Sequence, residues 1–335
     1  MQRLAASLAA LATIAFLPAL QSTPASSQGT AAQTAFPERT VRVVVGFAAG
    51  SASDIVYRLV LGKAGEMAGK PNIFVFENMP GAGGNTGLNA NKRADPDGYT
   101  IAATGGGPLA VNRYMFKNLP FDPEADFEPI AIASINPIVA AVSMKAPYKT
   151  LQEMVEYAKA NPDKITYSSV GPGSGQHLAG LQFEVLNGVK MRHLPYRITG
   201  QLVTDLITGE VPVSFQNIIN VLEQARGGQV RLLGVAAKTR HPSIPDTPTT
   251  AEAGMPQFLS HSWFAFAAPK GTPKTTIDRL NAMTVAALKD PEIIKKLQDI
   301  GCDPVPMTAA EVKKFIADES VSWRDVITKS GLEPM

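Results

Sequence analysis

Apolar residues fall in short blocks along this chain, and the blocks alternate between two periods. Residues 41–45, Val-Arg-Val-Val-Val, form the nearly unbroken apolar run that a strand covered on both faces requires. The next stretch, 46–54, reads Gly-Phe-Ala-Ala-Gly-Ser-Ala-Ser-Asp, in which Ser51, Ser53 and Asp54 can cap a helix. Ile55, Val56, Leu59, Val60 and Met67 then recur at helical spacing through residue 68. The same reading places strands at 73–77, 99–104, 130–134, 138–144, 165–169, 194–196, 211–215, 230–236 and 263–268. Helices are expected at 151–160, from 178 to the stop at Gly188, at 202–207 and at 221–225. Thr272-Pro273, Asp290-Pro291 and Thr308-Ala309-Ala310-Glu311 start three more, the last ending before Gly331. Residues 241–256 are proline-rich and read as an irregular connection.

Strands alternating with helices predict an α/β architecture with mostly parallel sheets. Ligands in such sheets bind beyond the carboxyl ends of the strands. Three Gly/Ser-rich loops lie at such ends: 48–54, 104–107 and 171–177. A turn of this kind gathers backbone N–H groups, and the helix N-terminus behind it carries partial positive charge, so each loop suits an anion. Residues 80–87 are also glycine-rich. Their G-x-G-x-x-x-G spacing departs from a dinucleotide fingerprint and fits a tight strand-to-helix turn.

The first residues change the picture of where the protein works. Arg3 precedes an apolar run over 4–20 that contains Pro18, and Thr23 and Ala25 satisfy the small-x-small rule. Residues 1–25 are therefore expected to be a cleaved export signal, with 26–35 a loose leader and the mature protein periplasmic. Charge excludes more than it suggests. With 31 Lys+Arg against 29 Asp+Glu, and no basic cluster, nucleic acid is not an expected partner. Cys302 is the single cysteine and the four histidines lack ligand spacing, so neither a disulfide nor a metal site is expected.

Catalysis finds little support in the residues. No G-x-S-x-G surrounds Ser174, no P-loop occurs, and the pairs Asp95/Asp97 and Glu124/Asp126 sit in turn-rich stretches. A Ser174–His177–Asp54 triad is conceivable by residue type alone. His177 is better placed as a first-turn residue beside an anion. Trp263 and Phe264 suit a core or inter-lobe position. Capture of a small anion without chemistry is the favoured reading; an exported hydrolase and a ligand-binding sensor of a signalling system are the alternatives.

Ordered motifs along nearly the whole mature chain carry a resemblance. They include 44–54, Glu77-Asn78-Met79-Pro80-Gly81-Ala82-Gly83-Gly84-Asn85, Pro96-Asp97-Gly98-Tyr99-Thr100, Tyr167-Ser168-Ser169, Gly173-Ser174, His177-Leu178-Ala179-Gly180, Pro195-Tyr196-Arg197 and Ser262-Trp263-Phe264. The chain resembles the Bug-type (TctC-like) extracytoplasmic solute receptors, the substrate-binding components of tripartite tricarboxylate transporters. The resemblance implies a two-lobed, type II periplasmic-binding-protein (Venus-flytrap) fold without cofactor. Lobe 1 would comprise 36–134 and 263–335, lobe 2 residues 135–262. It also implies a monomer that closes over a small carboxylate, mono- or dicarboxylate or aromatic, and delivers it to membrane permease subunits. Carried over to this sequence, the ligand-binding positions are Phe47, Gly50, Ser51, Ala52, Ser53, Asp54, Thr104, Gly105, Ser168, Gly171, Gly173, Ser174, Gly175, Gln176 and His177.

Three departures bear on the ligand. Ser51 stands where the family usually has a second glycine, which narrows the first loop. Gly105-Gly106-Gly107 replaces a segment that usually carries Ser, Thr or His. Gln216, a further candidate ligand residue, stands where many members have an acid, so a ligand lacking an ammonium group is expected.

Overall fold

The computed structural model describes residues 36–334. The expected export signal and leader, 1–35, lie outside the described residues. Strand β1 (Val41–Val45) leads into helix α1 (Ala52–Met67), followed by β2 (Phe74–Asn78) and α2 (Asn85–Lys92). Next come β3 (Thr100–Gly105), a π-helical turn (Gly107–Val111), α3 (Asn112–Met115) and the long β4 (Phe127–Ser143). Then follow α4 (Leu151–Ala160), β5 (Thr166–Ser169), α5 (Gly175–Asn187), β6 (Arg192–Pro195) and α6 (Thr199–Thr208). After β7 (Val213–Asn217), α7 (Ile218–Arg226) and β8 (Val230–Val235), strand β9 (His261–Pro269) precedes α8 (Lys274–Leu288), α9 (Pro291–Asp299) and α10 (Ala309–Ser330).

The strands run β2-β1-β3-β9-β4-β7-β5-β6, with β8 on β4. Parallel pairing, as the alternation predicts, holds within β2-β1-β3 and within β7-β5-β6. Between these two parallel blocks, β4 and β9 run antiparallel to their neighbours, and β8 is antiparallel to β4. The sheet is therefore mixed, and the chain forms the two-lobed periplasmic-binding-protein fold.

Sequence reading divides 130–144 into two strands; the structure makes it one. Residues 127–137 of β4 pair with β9, and 138–143 pair with β7 and β8. Pro137 falls at the change of partner, and Pro129 at a bulge, the places where a missing N–H costs no ladder bond. A second correction concerns 105–107. Gly107 is not part of an open loop but begins a helical turn, with Pro108 in its first positions, where proline is favoured.

Each lobe holds its own apolar core. In lobe 1, Tyr57 is fully buried between helix and sheet, its ring against Phe264 and Phe266. In lobe 2, Phe183 and Phe215 each meet Phe258 edge-on in a cluster that includes Ile138. A third cluster joins the lobes: Leu178 and Leu181 of α5 pack with Trp263, Ile316, Trp323 and Ile327. Three helix starts behave as their residues dictate. Thr308 and Glu311 form a full capping box, Asp290 caps α9, and Thr150 caps α4 while the Glu153 carboxylate accepts from the Lys149 N–H instead. Truncating Ile138, at 0% exposure beside the change of partner, leaves a cavity worth about 2–5 kcal/mol. Urea unfolding of Ile138→Ala should show that loss as a lower midpoint at unchanged slope.

Candidate functional site

A cavity of about 550 Å³ lies at the carboxyl ends of the strands, between the lobes. It is built from helix beginnings. The first residues or caps of α1, α2, α5, α6 and α7 all line it, as does the Gly106–Gly107 start of the π-helical turn. This follows from the topology: a chain leaving a parallel strand turns at that edge and enters its helix there. Each helix so aimed adds partial positive charge. Among the described residues lining the cavity there is no Asp or Glu. Arg197 is the one charged side chain, and it makes no hydrogen bond or ion pair there.

The first loop is held by a carboxylate behind it. Asp54 accepts from the Gly50 N–H at 2.9 Å, from Asn78 Nδ2 at 2.9 Å and from Arg58 Nε at 3.0 Å. Asn78 also donates to the Phe47 carbonyl. Ser51 Oγ caps α1 by accepting from the Asp54 N–H and lies 3.1 Å from Ser53 Oγ. Phe47, Ser51, Ala52 and Ser53 face the cavity; Gly50 and Asp54 do not. Asp54 is consumed by its scaffold bonds. Burial pushes its carboxyl up, but the bonds from Arg58, Asn78 and Gly50 outweigh this and hold it below its ordinary value.

The loop of lobe 2 is built on the same plan. Ser174 caps α5, accepting from the His177 N–H and donating to the Gly171 carbonyl at 2.7 Å. The Gly173 N–H donates to His177 Nδ1. The His177 ring lies 4.1 Å from that of His193, whose Nε2 is 2.6 Å from Ser169 Oγ. Burial lowers His177 to about 4; burial and the neighbouring imidazole lower His193 to about 3. Both rings are neutral at pH 7, so His177 secures the loop and offers an anion no charge. Gly171, Ser174, Gly175 and Gln176 line the cavity, whereas Gly173 and His177 stand behind it. No serine-hydrolase relay exists here: Ser174 Oγ faces Gly171, His177 Nδ1 is occupied by Gly173, and Asp54 belongs to Arg58.

Three other expected contacts also lie behind the wall. Thr104 is buried, and its carbonyl accepts from the Tyr57 hydroxyl; Gly105, next to it, does line the cavity. Ser168 donates to Ser214 Oγ, which accepts in turn from Gln216 Nε2. The Gln216 oxygen accepts from Asn220, and it is Asn220 that reaches the cavity. Gln216 thus acts through Asn220. Among the lining residues that the sequence reading does not assign are the 80–84 turn, Tyr196, Arg197, Asn217, Trp263 and Phe264. Glycine clustering marked the turn, and Pro195-Tyr196-Arg197 stood among the resemblance motifs. Nothing local to either showed that it faces this cavity.

Across the cavity the two lobes meet backbone to backbone. A Cβ on Gly107 would lie 2.5 Å from the Gly173 carbonyl oxygen, and one on Gly83 would collide with the Pro172 carbonyl. Glycine is required where two main chains approach this closely.

Removing the Asp54 carboxylate should loosen the first loop. Asp54→Ala leaves the Gly50 N–H and Asn78 without their acceptor, at a cost of about 1–3 kcal/mol. The sign of the pH effect follows from the lowered carboxyl. Its stabilisation is fully present above the ordinary value of 3.8 and is lost as pH falls through the lower folded-state value. Chemical denaturation from pH 7 to pH 2 should therefore show the gap between wild type and Asp54→Ala closing only at the acid end.

Comparison with known proteins identifies the family and the fold. The model of the family described as "Tripartite tricarboxylate transporter family receptor" (TctC) matches residues 56–332. Protein BugT of Bordetella pertussis is 31% identical over 297 residues, covering 88% of this chain and 90% of its own. The periplasmic binding protein BugD superposes with a TM-score of 0.81 at 32% identity, over 90% of this chain and 100% of that one. An R. palustris protein solved with adipate gives a TM-score of 0.85 at 29% identity, over 90% and 100%. The chain belongs to the TctC family, the solute-binding receptors of tripartite tricarboxylate transporters.

Proposed function

We propose that the protein is a non-catalytic periplasmic receptor that captures a small carboxylate between its lobes and delivers it to membrane permease subunits. The observation that carries this reading is the convergence of helix N-termini on a cavity with no acidic lining residue and one unpaired guanidinium. Each helix end contributes about 0.3–1 kcal/mol to an anion, and charge-assisted hydrogen bonds about 1.5–3 kcal/mol each. A few such contacts and apolar burial against Phe47, Trp263 and Phe264 suffice for micromolar binding, about −8 kcal/mol. Adipate in a related structure supports the class of ligand. The absence of an acid from the lining disfavours an α-amino acid, whose ammonium group would have no counter-charge.

Capture by closure follows from the same contacts. The lobes, 36–134 with 263–335 and 135–262, would part at β4 and β9 and meet again through the 80–84 turn, Gly107 and the 171–173 segment. A ligand that touches both lobes favours the closed state by its differential affinity. Family membership and the signal-like first residues support an exported, monomeric protein working with a permease.

A thermal-shift screen against carboxylic acids should raise the melting point with at least one acid. Stabilisation by neutral sugars or cations alone would overturn the reading. Arg197→Gln should weaken the best acid roughly tenfold, about 1.4 kcal/mol, and flatten the salt dependence of its affinity. Gly107→Ala should lower affinity at least tenfold with an unchanged far-UV spectrum, because its methyl group holds the lobes apart; unchanged affinity would show that closure does not use this contact.

A further inference from the structure

The chain has two tryptophans, and both donate to the same oxygen. Trp263 Nε1 lies 3.0 Å and Trp323 Nε1 3.4 Å from Glu319 Oε2. His261 Nε2 stands 3.4 Å from that oxygen. Glu319 is on α10, near the end of the chain, with only 14% of its side chain exposed. His261 and Trp263 are on β9, at the point where the chain returns from lobe 2 to lobe 1.

Trp263 is also a wall of the cavity. Its indole lies against Gly106, where a Cβ would be 3.0 Å away, and meets the ring of Phe315 edge-on at 5.5 Å. Leu178, Leu181 and Phe315 pack around the indole, and the hydrogen bond to Glu319 sets the direction of its N–H. Burying a carboxylate is costly unless its oxygens find donors, and two indole N–H groups supply Oε2. This carboxylate contacts nothing in the cavity, so its cost is offset by what it orders.

We infer that Glu319 is a positioning residue for the binding site: it fixes the Trp263 indole as a cavity wall and ties the β9 crossing to the C-terminal helix. The inference rests on the reading of the cavity as a carboxylate site. Solute capture then alters the emission of Trp263, because this residue lines the space the solute enters.

The test uses the full mature chain and a fixed panel of succinate, adipate, benzoate and nicotinate. In a Trp323→Phe background, emission comes from Trp263 alone. Glu319→Ala should raise acrylamide quenching of that emission at least twofold without any ligand. It should also weaken whichever panel acid wild type binds by about tenfold. Glu319→Gln retains an acceptor oxygen and should fall between the two; it serves alone if the alanine variant does not fold. Ile327→Ala, a buried change on the same helix away from the cavity, sets the effect of lost stability. Unchanged quenching in Glu319→Ala, or an equal loss of affinity in Ile327→Ala, overturns the inference. If no panel acid binds wild type, the reading of the cavity as a site for these acids fails, and the quenching result still decides whether Glu319 positions the indole.

Discussion

The structure depends on a concentration of positive partial charge that nothing in the cavity neutralises. Five helices begin at one edge of the two parallel blocks, and the first residues or caps of all five line a common space. Folding produces that field whatever the side chains are. Side chains decide whether it remains available. An aspartate on the wall would quench it, and the lining has none; Asp54, the nearest acid in the first loop, is turned away and bound to Arg58 and Asn78. The cavity thus keeps an unmet need for an anion.

Holding that edge in shape requires a shell of groups behind the lining. Asp54 serves the first loop, and His177 with His193 and Ser169 serves the loop of lobe 2. The Ser168–Ser214–Gln216 chain holds Asn220, and Glu319 holds Trp263. Each is a wholly or largely buried polar group hydrogen-bonded inside the protein, the condition under which burial rigidifies. The neutral histidines fit this role: an imidazolium at Nδ1 could not accept the Gly173 N–H.

Much of this was legible in the residues, and the failures are informative. The run 41–45 with its Ser51 cap and the Thr308–Glu311 box are local patterns, and each stands where the pattern put it; the 171–177 loop is shorter than expected, because α5 begins at Gly175 behind its Ser174 cap. Reading β4 as two strands failed because Pro137 looks like a break until its neighbours are known; a strand that changes partners there loses nothing. The candidate site residues divide in one consistent way. Asp54, Thr104, Ser168, His177 and Gln216 have the chemistry of ligand contacts and were placed close to the cavity, but alternation and turn geometry do not say which of two neighbouring side chains faces inward. Arg197 follows a short edge strand, and only the folded arrangement brings it into one lining with Phe47 and Trp263.

Because the field of the helix ends is specific for charge, the most direct test compares a ligand with its uncharged isostere. Calorimetric titration with an acid that stabilises the protein, and with the primary amide of the same acid, keeps shape constant and removes one negative charge. The account predicts that the amide binds at least about a hundredfold more weakly, about 2.7 kcal/mol. Equal affinity for acid and amide would show that the cavity selects shape alone, and would contradict it.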